Sequence, residues 1–254
     1  MSKYLISKAA QDPKRAISEC IYEFKRLFGS SDYQPFLILT RSRTGSTFLS
    51  TNLNSHPEIW CGGEKLNFLR GRNLDAVVRH IYGKHPAYVK AVGFKIFYYH
   101  PNDTEDSRVW ELLNEVPNLK VIHLRRKNVI RTLVSRKIAE QTGSYKANVT
   151  DSDGTNRVRF TYDELKLGIE DTLQMESVGI ERFYDKECME ITYEELVSSS
   201  EAKNRIQDFL GVSTHWLTTP LKKQNRGALS DLILDYTELK ERFVGSDWEY
   251  LFDE

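Results

Sequence analysis

Residues 40–49 read TRSRTGSTFL, directly behind the apolar run PFLIL. A strand, a glycine turn and a helix start bring several backbone N–H groups and the positive end of a helix dipole to one point, and such a point attracts phosphate. Thr44, Ser46 and Thr47 add hydroxyl donors, and Arg43 adds a rigid cationic fork. The plain alternative is a polar turn whose Ser or Thr only caps a helix; the strand before and the helix after favour the anion site. A nucleoside triphosphatase loop would need GxxxxGK[ST], with a second strand ending in a metal-holding Asp. This loop has no lysine, and the apolar stretch KVIHL runs instead into Arg125-Arg126-Lys127. Cations stand where a metal enzyme places a carboxylate, which predicts a second anion site without a metal.

The following helix supports that reading. With Asn128 as cap, Asn128, Arg131 and Ser135 fall at i, i+3 and i+7 on one face, while Val129 and Leu133 turn toward the sheet. Arg126 and Ser135 can then bracket one phosphate. Taken alone, the same run reads as a solvated basic helix start.

The elements that must carry these residues alternate. Lys14 to Phe28 places Ile17, Ile21, Phe24, Leu27 and Phe28 at helical spacing before Gly29-Ser30-Ser31. A strand is expected over Phe36–Leu39, a helix from about Gly45 to Asn54, a second strand within Tyr88–Tyr98 and a third over Leu119–Leu124. Helices are expected over Asp106–Val116, Asn128–Gln141 and Tyr162–Tyr184. The βαβα order with unbroken apolar strands predicts an α/β domain: a parallel sheet flanked by helices on both faces, with its ligand at the carboxyl ends of the strands.

Composition narrows the function. The chain has 254 residues, enough for one well-buried core, and 36 Lys+Arg balance 36 Asp+Glu. With no charge excess, nucleic acid is not an expected partner, and any anion site must be local. Cys20, Cys61 and Cys188 lack CxxC spacing and read as reduced, buried thiols rather than a disulfide frame or a zinc site. The first residues carry charges throughout, and no segment approaches 18 continuous apolar residues, so a cytoplasmic protein without a membrane span is expected. The sequons at Asn102 and Asn148 read as unused. One domain over 1–254 is expected, with 1–34 as an N-terminal helical extension and the polar stretch 143–159 as a mobile loop over the acceptor or a plain disordered loop.

These motifs together resemble the sulfotransferases that use 3'-phosphoadenosine 5'-phosphosulfate (PAPS). RTGSTF at 43–48 is similar to their 5'-phosphosulfate loop and LRRKNVIRTLVS at 124–135 to their 3'-phosphate element. EITYEELVSSSEAKNRIQDFLGV at 190–212 is similar to their late strand, turn and helix. The closing LKKQNRGALSDLI resembles bacterial carbohydrate and Nod-factor sulfotransferases. The resemblance implies a P-loop nucleotide-kinase-like core, PAPS as co-substrate, no metal, and a carbohydrate or small hydroxylated metabolite as acceptor.

It also implies roles. Arg43 would hold the 5'-phosphate and the bridging oxygen, with Thr44, Gly45, Ser46 and Thr47 around it. Arg126 and Ser135 would hold the 3'-phosphate, with Arg125 as the competing arginine. Phe48 and Tyr193 would lie by adenine or simply pack in the core. Lys223, Gln224, Arg226 and Gly227 would belong to a loop closing over the nucleotide, departing from the RKG pattern of animal members. Glu64, behind Gly62-Gly63, is the candidate base, and His100 in IFYYHP competes with it. Lys95, inside a strand, would stabilise the transferred sulfuryl or pair with a carboxylate. Trp60, Phe68, Tyr98 and Tyr99 are candidate stacking surfaces for the acceptor, and the other histidines read as structural or solvated. The rival readings are an ATP- and magnesium-dependent P-loop phosphotransferase and a non-catalytic nucleotide-binding protein of the same fold.

Overall fold

The structure, a computed structural model, describes residues 13–104, 108–143, 156–221 and 227–253. Five strands form one parallel sheet: β1 (Gln34–Thr40), β2 (Ile59–Gly62), β3 (Ala91–Phe97), β4 (Lys120–Arg125) and β5 (Glu187–Thr192), in the order β2-β3-β1-β4-β5. β1 lies in the middle, with Leu37 opposite Phe94 of β3 and Val121 of β4. The chain moves outward from β1 to β2, returns through β3, then crosses to β4 on the other side. The order therefore reverses between β1 and β4, and their carboxyl ends frame the crevice where such sheets bind ligands.

Strand periodicity divides the core. Leu37 and Leu39 of β1 face one side with α3 (Leu74–Ile81) and α4 (Arg108–Asn114). Phe36 and Ile38 face the other with α2 (Ser46–Leu53), α7 (Tyr193–Ser198) and α8 (Ser200–Leu210). A third cluster joins α5 (Val129–Thr142), α6 (Tyr162–Glu181), α9 (Leu229–Leu232), α10 (Tyr236–Phe243) and the 3-10 turn Glu249–Phe252. This cluster lets the end of the chain brace the helix that follows β4.

The predicted elements match within a few residues, and α1 (Pro13–Leu27) occupies the expected N-terminal helix. One sequence expectation is corrected. Only Cys61 is buried; Cys20 and Cys188 are exposed, because α1 and the edge strand β5 leave those positions uncovered. The stretch 143–159 is tethered at its end, where Val158 pairs with the segment around Ile233 and its N–H donates to the Leu232 carbonyl at 2.8 Å; residues 144–155 lie outside the described residues.

Candidate active site

The turn after β1 is built from within. The Thr40 hydroxyl lies 2.6 Å from both the Leu124 carbonyl of β4 and the Thr44 hydroxyl, and Thr44 donates to the Arg41 carbonyl at 2.8 Å. Thr44 is only 1% exposed, so its hydroxyl braces the turn. Arg43 (φ 69°) and Gly45 (φ 91°) adopt the left-handed conformation on either side of it, the alternation that makes a concave, anion-binding turn. Gly45 is required twice over: a Cβ there would lie 2.2 Å from the Tyr193 ring. Gly45 also precedes α2 without a side-chain cap, which leaves the first-turn N–H groups of Ser46 and Thr47 without such a partner.

At the end of β4 the two arginines diverge. Arg125 Nε donates to Glu176 of α6 at 2.7 Å and its Nη1 to Glu190 of β5 at 3.1 Å. Burial raises the pKa of Glu176, and Arg125 opposes that shift. Arg126 points the other way: Nη1 donates to the Arg43 carbonyl at 3.3 Å, and the guanidinium sits 5.2 Å over the Tyr193 ring. It approaches Glu194 to 3.7 Å, yet its buried Nε has no hydrogen-bond partner among the described residues. Burial lowers its pKa. Of the competing pair, Arg126 turns toward the Arg43 turn, and Arg125 is tied to Glu176 and Glu190 on the other side.

Asn128 caps α5, accepting from the Arg131 N–H at 3.3 Å, as expected, but Val129 and Leu133 pack in the third cluster with α6 and the end of the chain rather than on the sheet. Arg131 Nη1 donates to the Gly227 carbonyl at 2.7 Å, and the Ser135 hydroxyl accepts from Arg43 Nε at 3.0 Å. The two predicted anion sites thus touch. Of the late loop, Gly227 is placed beside α5 by Arg131; Lys223, Gln224 and Arg226 lie outside the described residues.

On the other side of the turn, Lys95 of β3 is 5% exposed and reaches its carboxyl end. Its Nζ donates to Thr47 Oγ1 at 2.9 Å and pairs with Glu64 Oε1 at 3.1 Å. Asn67 Nδ2 donates to Glu64 Oε2 at 2.9 Å, and Asn102 Nδ2 holds Asn67 Oδ1 at 2.7 Å, so the carboxylate plane is fixed at both oxygens. His100 is buried beside them; its Nδ1 accepts from the Phe97 N–H at 3.3 Å, and Nε2 has no partner among the described residues. Burial lowers its pKa to about 4, with Glu64 opposing and Lys95 reinforcing the shift. Both candidate bases therefore lie within the electrostatic reach of Lys95.

Three residues escape the sequence reading. Arg41 is buried, donating to Thr172 and, at 3.2 Å, to Asp171 of α6, so it anchors the turn from behind. Asn67 carries no motif and Asn102 only a sequon read as unused; nothing but their amide side chains in the two loops that frame Glu64 hints at the pairing. Phe48 and Tyr193 meet edge to face at 6.0 Å, Lys203 lying 5.8 Å from the Phe48 ring. Of the acceptor aromatics, Tyr98 is buried against His123 at 2.7 Å, and Trp60 stacks on Tyr22 at 6.3 Å. Phe68 and Tyr99 remain exposed.

No protein-family model matches the chain. Nodulation protein H of Rhizobium tropici is 26% identical over 239 residues, covering 87% of this chain and 93% of its own. Nodulation protein H of Rhizobium meliloti (strain 1021) is 25% identical over 240 residues, covering 87% and 95%. The crystal structure of a mouse sulfotransferase complexed with PAP shows a looser likeness, at 13% identity and a TM-score of 0.41. That match covers 72% of this chain and 60% of the mouse chain, less than two thirds of its length. The chain is thus similar to the nodulation H proteins over 87% of its length.

Proposed function

We propose that the protein is a PAPS-dependent O-sulfotransferase that acts in the cytoplasm on a hydroxyl of a carbohydrate or small metabolite. The observation that carries this is the meeting of two arginine-bearing turns at the sheet crossover, one of them tied through Lys95 to a carboxylate. The donor substrate carries anionic groups at the 3' and 5' positions of its ribose. The turn at 43–47 offers backbone N–H groups and Arg43 to the phosphosulfate. Arg126, whose buried Nε lacks a hydrogen-bond partner among the described residues, fits the 3'-phosphate together with Ser135.

Glu64 takes the proton of the acceptor hydroxyl as its oxygen forms a bond to sulfur. The bond between sulfur and the 5'-phosphate oxygen breaks in the same step, leaving the sulfate ester and PAP. Charge developing on the departing phosphate is met by Arg43 and the turn. Lys95, held between Thr47 and Glu64, loses its carboxylate partner when Glu64 becomes protonated and can then turn its charge toward the transferred group. His100 accepts at Nδ1 and so carries its proton on Nε2, which makes it a donor in that tautomer and favours Glu64 for the role of base.

Incubation with radiolabelled PAPS and a panel of neutral mono- and oligosaccharides tests the reading. Transfer of label to a sugar that requires Glu64 supports it; transfer of the ATP γ-phosphate with magnesium, and none from PAPS, contradicts it.

A further inference from the structure

Helix α1 is mounted with its polar side against the body and its apolar side outward. Tyr22 bonds His85 Nδ1 at 2.6 Å and stacks on Trp60. Arg26 donates to the Lys84 carbonyl at 2.7 Å and to the His80 carbonyl at 2.5 Å, and pairs with Glu23 at 3.2 Å. The opposite side shows Ile17 (60% exposed), Ile21 (51%), Phe24 (63%) and Phe28 (79%), with Leu27 (68%) at its margin. A helix held to a domain normally buries such a stripe.

The spacing of the four central residues is 4-3-4, the alternation of a and d positions in a two-helix seam. The stripe is narrow, as a seam between helices is, whereas a helix lying in a lipid surface needs a wider apolar face. The exposed apolar side chains offer on the order of 600 Å² per copy, near the roughly 800 Å² per partner of a standard stable interface. Tyr88, 49% exposed and linked to α1 by Lys25 at 5.6 Å from its ring, extends the patch toward that size. Glu19 and Glu23 lie on the far side of the helical wheel, so no carboxylate interrupts the seam.

We infer that this face is the interface of a symmetric dimer in which α1 packs against α1 of a second copy. A two-fold axis across the seam is self-complementary, since each copy supplies the same apolar ridge. The bonds of Tyr22 and Arg26 present the ridge in a fixed orientation, which lowers the ordering cost of association.

Sedimentation velocity of the full chain from micromolar to submillimolar concentration, without lipid, tests this. The wild type is expected to sediment as a dimer. Ile21→Glu/Phe24→Glu, which alters only exposed positions, should raise the dissociation constant roughly a hundredfold or more. Circular dichroism and a thermal melt show that the variant is folded. A wild type that stays monomeric overturns the proposal, and co-flotation of that monomer with anionic phosphatidylserine vesicles would assign the face to lipid instead. A double variant that is folded and still dimeric overturns it as well, by placing the interface elsewhere. None of these readouts depends on sulfuryl transfer.

Discussion

Arg43 Nε donates to the Ser135 hydroxyl across 3.0 Å, so the turn after β1 and the helix after β4 are joined through the side chains that each offers to an anion. A nucleotide with anionic groups on both the 3' and 5' positions of its ribose must exchange this contact for its own. Arg43→Ala and Arg126→Ala are each expected to weaken PAP binding roughly a hundredfold, since a charge-assisted bond to phosphate contributes about 1.5–3 kcal/mol. Ser135→Ala should cost about tenfold or less, because it removes a neutral donor while releasing Arg43. Calorimetric titration with PAP measures all three, and unchanged affinity in both arginine variants would remove the two-anion site.

Arg125 should behave oppositely to its neighbour. Its partner Glu176 is 4% exposed and loses its compensating cation in Arg125→Ala. The expected loss of folding stability is about 2–4 kcal/mol, less than for a fully buried pair because Arg125 is itself a third exposed. Urea unfolding should show that loss, while PAP affinity of the folded variant stays within about threefold of wild type. A stable Arg125→Ala that no longer binds PAP would reverse the assignment of the two arginines.

Glu64→Gln keeps the bond from Asn67 in shape but removes the base, so turnover should fall roughly 10²–10⁴-fold with PAP affinity little changed. His100→Gln, which can still donate a hydrogen bond, should lose much less. Steady-state kinetics with the sugar that accepts label distinguishes them. A larger loss for His100→Gln than for Glu64→Gln would make the histidine the base.

Three buried histidines give the fold an acid limit. Burial holds His85, His100 and His123 down to about 4. The unfolded chain binds these protons near pH 6.5, so stability is full above that value. It declines as pH falls toward 4, where the folded forms also protonate. Each group contributes up to about 3 kcal/mol over this window. Calorimetric melting temperatures should therefore drop steeply from pH 6.5 to 4.5; a flat profile would show that these histidines are protonated in the folded protein.

Much of this architecture is legible in the residues. Apolar runs such as PFLIL and LKVIHL read as strands buried on both faces, and RTGST between such a strand and a helix favours an anion site over a plain capping turn. What pattern cannot decide is direction. Arg125 and Arg126 are adjacent and alike, and only the pleat, with Glu176 and Glu190 on one side and the Arg43 turn on the other, separates them. Arg41 and Arg43 differ in the same way, one drawn under α6 and the other toward α5. Asn67 and Asn102 meet only because two loops are brought together by tertiary structure, and α1 has the periodicity of a buried helix although its apolar side is exposed.

The most direct test of the central claim is calorimetric titration of the purified protein with PAP, ADP and ATP, each with and without magnesium. Tight binding of PAP that needs the 3'-phosphate and ignores magnesium is the predicted result. Preference for ATP with magnesium, or equal affinity for ADP and PAP, would contradict a donor site built from Arg43 and Arg126.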